Sequence, residues 1–142
     1  QIVHSSVTTN YLLHTLLMHK VIDEYYFLKK RYMGKRLVLE QLDMESVKNL
    51  QKTEFEELTA ALDRFERMES WGAICKDQFF YYKSYQPASK KKDYFANKGF
   101  GDKEINKFRC GQHSQIRCFG YRKDDKFHIL MVERDHSVSD TG

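Results

Sequence analysis

Proline is almost missing from this sequence: Pro87 is the only one in 142 residues, and just seven glycines are spread along the chain. A long disordered linker needs more of both, so the composition points to one compact domain. Cysteine is scarce too. Cys75, Cys110 and Cys118 are odd in number and sit at no framework spacing. That excludes a disulfide-stapled scaffold and, with no secretory leader pattern at the start, implies a reducing cytoplasm. Long apolar runs are missing as well. The stretch near Tyr11 to Met18 is cut by His14 and His19 and is too short to cross a bilayer, so no membrane contact is expected. No Gly-rich phosphate loop, HExxH or GxSxG motif occurs, which removes the common nucleotide, metalloprotease and hydrolase signatures.

What the chain does have is aromatic residues and an uneven charge. Ten Phe and nine Tyr accompany a single Trp. A chain of this length buries roughly two thirds of its unfolded surface, enough for many of those rings to form one core. The net charge is only +4, but residues 43–70 carry four Lys/Arg against eight Asp/Glu, while residues 83–126 carry twelve against five. An acidic segment followed by a basic one marks a polyanion-binding face; ordinary solvated lysines are the alternative.

Periodicity predicts an α+β fold, with N-terminal helices on a small antiparallel sheet that ends in a three-strand meander. Thr9 or Asn10 caps a helix running to about Arg31, with Leu13, Leu17, Val21 and Leu28 on one stripe and Gly34 as its stop. Lys35 to Leu42 reads as a short strand, and a helical stretch begins after Asp43. Thr53 and Glu56 form a capping-box pattern for a helix over 54–69, whose Phe55, Leu58, Leu62 and Phe65 share a face. Gln78 to Tyr82 reads as a strand, and 83–104 as a long basic connection holding Lys90, Lys91 and Lys92. Lys107 to Cys110, Ile116 to Tyr121 and Phe127 to Arg134 then form the meander, the last two joined by the turn Lys123-Asp124-Asp125-Lys126.

Within the meander, alternation puts Arg117, Phe119 and Tyr121 on one side of a strand and Ile116, Cys118 and Gly120 on the other. Arg109, Arg117 and Arg134 are placed to hold a phosphate bidentately and to neutralise charge growing in phosphoryl transfer. His136 suits a proton transfer near neutral pH. The alternative is a solvated sheet in which the arginines pair with Asp124, Glu133 and Asp135. A spacing of Cys110, His113 and Cys118, with Cys75 and His128 in reserve, admits zinc, but a second close pair is missing, so small buried cysteines are the preferred reading and no metal or cofactor is expected. Tyr25-Tyr26 and Tyr81-Tyr82 suit base stacking or, more often, half-buried packing.

The run Phe108-Arg109-x-Gly111, then Ile116-Arg117-x-Phe119-Gly120-Tyr121, an Asp-bearing turn and a hydrophobic strand ending Arg134-Asp135-His136 resembles the C-terminal half of the RelE/HigB-like bacterial toxins. The resemblance covers roughly residues 35–138 and leaves 1–34 as an N-terminal helical extension. It implies a RelE-like order of strand, two helices and three strands, and a metal-independent endoribonuclease that cuts mRNA with the ribose 2′-hydroxyl as nucleophile. By position Arg109 and Arg117 match the arginines of the family's first two meander strands, and Arg134 and His136 the basic and polar residues ending its last strand. These are the candidate catalytic residues, with Lys107 and Tyr121 as nucleic-acid contacts, while Lys90, Lys91 and Lys92 are read from charge alone as a non-specific attraction for nucleic acid. RNA, the ribosome and an antitoxin protein are the partners the resemblance implies. The competing class is a non-catalytic module of phage or mobile-element origin that binds nucleic acid or protein.

Overall fold

The computed structural model describes residues 12–13, 23–33, 35–85 and 93–134. Helix α1 (23–31) leads through a turn into strand β1 (Leu37–Val38) and a 3₁₀ turn (Met44–Ser46). Helices α2 (Lys52–Arg67) and α3 (Trp71–Lys76) follow, then the short strand β2 (Lys83–Ser84). Helical turns over 93–100 precede the meander of β3 (Asn106–Arg109), β4 (Arg117–Lys123) and β5 (Lys126–Glu133). The sheet order is β1-β5-β4-β3-β2; β1 runs parallel to β5 and every other neighbour is antiparallel.

Helix α2 is the element whose cause is easiest to trace. The Glu54 carboxylate accepts the Gln51 backbone N–H at 2.8 Å, closing the first turn. Leu58, Ala61, Leu62 and Phe65 recur on one face and are buried against the sheet. Each large apolar side chain so buried contributes about 1.5–3 kcal/mol. Phe65 is the hub: its ring meets Trp71, Phe80, Phe108 and Phe127 at centroid distances of 4.8–6.0 Å. Helix α1 and the turn after it join the same core through Leu28 and Tyr32, and Arg31 grips Asp63 of α2 with two hydrogen bonds at 3.0 and 3.1 Å.

Two local devices fix the meander. Asp124 and Asp125 both hold positive φ (52° and 65°), as a two-residue hairpin turn twisted to match its strands requires. At Gly120 a Cβ would sit 2.0 Å from the His128 carbonyl oxygen, so only glycine permits this approach of β4 to β5. Phe119 pairs with Met131 and Gly120 with Ile129, leaving Leu130 as the extra residue of a β-bulge. Its carbonyl accepts the Asp43 N–H at 2.8 Å, tying the bulge to the turn after β1.

Several expectations need correction. The sheet is mixed rather than antiparallel, because β1 docks beside the last strand of the chain. Lys35 to Leu42 yields only a two-residue strand; Arg36 N–H and Leu37 N–H both go to the Glu66 carboxylate rather than to a further strand. The helical stretch after Asp43 shrinks to one 3₁₀ turn, with the Asp43 carboxylate capping Glu45 N–H. The capping pair of α2 is Gln51 with Glu54, not Thr53 with Glu56: the Glu54 carboxylate accepts the Gln51 N–H. Gln78 to Phe80 is a turn, not a strand, because the Asp77 carboxylate accepts Phe79 N–H. The helix α3 was not foreseen: Ser70 Oγ accepts Ala73 N–H and starts it. Thr9, Asn10 and the Gly34 stop lie outside the described residues.

Candidate anion-binding face of the sheet

The sheet has two unlike faces. Phe108, Cys118, Ile129 and Val132 face the helices, whereas Phe119, Tyr121 and Met131 face the turns over 93–100. Strand register then fixes where the cations go. Lys83 stands opposite Lys107, which stands opposite Phe119; Arg109 stands opposite Arg117, which stands opposite Glu133. Directly opposed residues share a face and bring their Cβ atoms within about 4.5–5.5 Å. Lys83, Lys107, Arg109 and Arg117 therefore occupy two adjacent rows on the face away from the helices.

Each cation is held by a local contact. Arg117 is only 8% exposed; its guanidinium donates to the carbonyls of Ser114 (2.7 Å) and Ile116 (3.1 Å), and its Nε is buried without a hydrogen-bond partner. Burial, and then the positive charge of Arg109, push its pKa down, while Cys110 and Glu133 oppose that shift. Arg109 is half-buried, donating to the carbonyls of Gln78 (2.5 Å) and Phe79 (3.3 Å), with its guanidinium 5.0 Å from the Tyr81 ring centre. Lys107 is 4% exposed, and the Lys83 ammonium lies 4.6 Å from the same Tyr81 ring. Glu133, 3% exposed and opposite Arg117, brings a carboxylate to these rows, and the four cations still outnumber it under low exposure.

Other predicted site residues are placed differently. Arg134 turns to the helix side, where Nε donates to the Glu54 carboxylate (3.1 Å) and a terminal nitrogen to the Asn49 carbonyl (3.4 Å). Strand alternation sends it there, opposite to Glu133. Tyr121 is buried rather than free to meet a nucleotide: its hydroxyl donates to Gln41 (2.8 Å) and its ring stacks on His128 at 4.7 Å. Lys90, Lys91, Lys92 and His136 lie outside the described residues. The cysteine and histidine spacing assembles nothing: Cys110 and Cys118 are buried side by side, their sulfurs 4.0 Å apart, Cys75 and His113 are exposed, and no group of three metal-ligating side chains converges among the described residues.

Sequence reasoning named Tyr81 for base stacking or half-buried packing but missed Lys83 and the pairing of the two with Arg109. The signal available was faint: a Lys two residues after a Tyr, adjoining a basic segment. A groove of about 640 Å³ lies at the far end of the sheet, where Asp102, Glu104, Asp124 and Asp125 stand among Lys103, Arg122 and Lys123, so it offers a polyanion no excess of positive charge. No described helix is long and apolar enough to cross a membrane. No family model, curated protein or solved structure matches this chain.

Proposed function

We propose that this chain binds RNA through the cation-bearing face of its sheet and cleaves it as a toxin-like, metal-independent endoribonuclease of the cytoplasm. The observation that carries the reading is the alignment of Lys83, Lys107, Arg109 and Arg117 in adjacent cross-strand rows. Glu133, opposite Arg117, puts a carboxylate in these rows, but the four cations outnumber it; a phosphodiester meets that excess of positive charge, and its binding releases counterions from the nucleic acid. In cleavage the ribose 2′-oxygen attacks phosphorus and the bond to the 5′-oxygen breaks. The products are a cyclic phosphate and a 5′-hydroxyl. Charge grows on the non-bridging oxygens, where Arg109 and Arg117 stabilise it. His136 is assigned the proton transfers on the strength of the RelE/HigB resemblance, which also supplies the ribosome and an antitoxin as partners.

A second reading rests on its own observation. Arg134 and Arg109 spend hydrogen bonds on Glu54 and on the carbonyls of Gln78 and Phe79, as scaffold residues do. On that basis the chain is a non-catalytic nucleic-acid-binding module. Two measurements separate the readings. Affinity for a single-stranded oligoribonucleotide should fall steeply with salt, and replacing Lys90, Lys91 and Lys92 by Ala should weaken binding and flatten the slope. Translated mRNA, with and without ribosomes, should be cut. Salt-sensitive binding without any cut leaves the module; no binding at low salt removes both.

A further inference from the structure

Tyr81 is placed unlike the other rings around it. Phe80, its neighbour, is fully buried, and Tyr82 is half-buried against the core, yet Tyr81 keeps 47% of its surface exposed. Its backbone sits at φ 47°, a left-handed conformation that bulky residues rarely adopt. The turn before it enforces that conformation: the Asp77 carboxylate caps Phe79 N–H, and the Asp77 carbonyl accepts Tyr81 N–H at 3.0 Å. The ring is thereby held out at the edge of the cation rows, with the Lys83 ammonium 4.6 Å and the Arg109 guanidinium 5.0 Å from its centre. Strain that holds an aromatic ring in water, beside two cations, points to a ligand.

We propose that Tyr81 is a base-stacking platform, and that the nucleic acid this face accepts is therefore single-stranded. The inference rests on the RNA-binding reading and adds the strandedness of the substrate and the residue that selects it. An unpaired base presents a free π-face to the ring, while its flanking phosphates reach Lys83 on one side and Arg109 on the other. In the free chain the two cations lie over the ring itself, at 4.6 and 5.0 Å from its centre, so a base that stacks there displaces a cation, which then meets the neighbouring phosphate. In a duplex every base is already stacked on its neighbours, so the ring has nothing to receive. Because every base has such a face, the platform is tolerant of sequence.

The test uses the full chain with oligoribonucleotides that carry 2-aminopurine at one position, free or annealed to a complement. Wild type should quench the fluorescence of the single strand and bind it more tightly than the duplex. Tyr81→Ala should lose the quenching and roughly 10- to 100-fold of single-strand affinity, with duplex affinity little changed. Tyr81→Phe, which keeps the ring and drops the hydroxyl, should behave as wild type. Equal losses on single strand and duplex would mean the ring only positions Lys83 and Arg109, and the proposal fails. Unchanged single-strand binding by Tyr81→Ala overturns it while leaving the RNA reading intact. If wild type binds neither form, the RNA reading itself is wrong and the platform goes with it.

Discussion

The two faces of the central sheet follow opposite rules. On the helix side every layer agrees with the next: Phe65, Phe80, Phe108 and Phe127 interlock, Cys118 fills a small gap, and the cluster is apolar throughout. On the other side an aromatic patch of Phe95, Phe119 and Tyr121 shares its strands with Lys107, Arg109 and Arg117. One face is built as a fold would have it. The other keeps two cations less than a tenth exposed and leaves a guanidinium nitrogen unsatisfied, which lowers stability. Departures from local consistency of this kind are expected at functional or strained sites, and the RNA-binding proposal for this face starts from that expectation.

Substitutions on the two faces should accordingly do different things. The largest effect on folding belongs to the helix face. Phe65→Ala removes the ring shared by Trp71, Phe80, Phe108 and Phe127 and should cost about 3–5 kcal/mol, read as a lower urea midpoint at unchanged slope. RNA binding by the fraction that stays folded should be intact. Arg117→Met is the opposite case. It keeps bulk, drops a charge that burial and Arg109 disfavour, and should leave stability within about 1.5 kcal/mol of wild type. Cleavage should nevertheless fall by about 10²–10³. A stability loss as large as that of Phe65→Ala, with cleavage retained, would make Arg117 a structural residue and erase the contrast between the faces.

The helix face was also the more legible one in the sequence. The period of Leu58, Leu62 and Phe65 marks α2 to within two residues at each end, and alternation with an Asp-Asp turn marks β4 and β5. What escaped was decided far from where it was read. Leu37 and Val38 join the sheet only because β5, some 90 residues later, offers an edge, and Glu66 from α2 takes the N–H groups that would otherwise extend the strand. On the cation face, alternation correctly put Arg117 beside Phe119 and Tyr121, and pairing of β3 with β4 brings Arg109 alongside. Burial was the part alternation could not give. The turns over 93–100 pack on Phe119 and Tyr121, with Phe100 at a ring distance of 6.2 Å from Tyr121; Arg117, held by the Ser114 and Ile116 carbonyls, is itself no surface arginine whose loss leaves stability untouched.

The smallest expected effect lies where the cation face meets the hairpin turn. His128 stands opposite Tyr121, its ring parallel at 4.7 Å, and it is half-buried. Burial lowers its pKa first; Lys123, Lys103 and Lys126 push the same way, and Glu40 opposes them. The folded state therefore prefers the neutral imidazole more than the unfolded chain does. Its contribution to stability is fully present above the unfolded value of about 6.5 and is lost as pH falls through the lower folded value. His128→Phe keeps a ring against Tyr121 but cannot take a proton. Compared with wild type, the variant should lose less melting temperature between mildly alkaline and mildly acidic buffer, by a degree or two at most. Phe65→Ala should show the wild-type pH dependence displaced downward as a whole, since the rings it meets, Trp71, Phe80, Phe108 and Phe127, do not titrate. An identical pH profile in His128→Phe and wild type would mean that protonation of His128 is not felt by the fold, and that the stack with Tyr121 holds in either charge state.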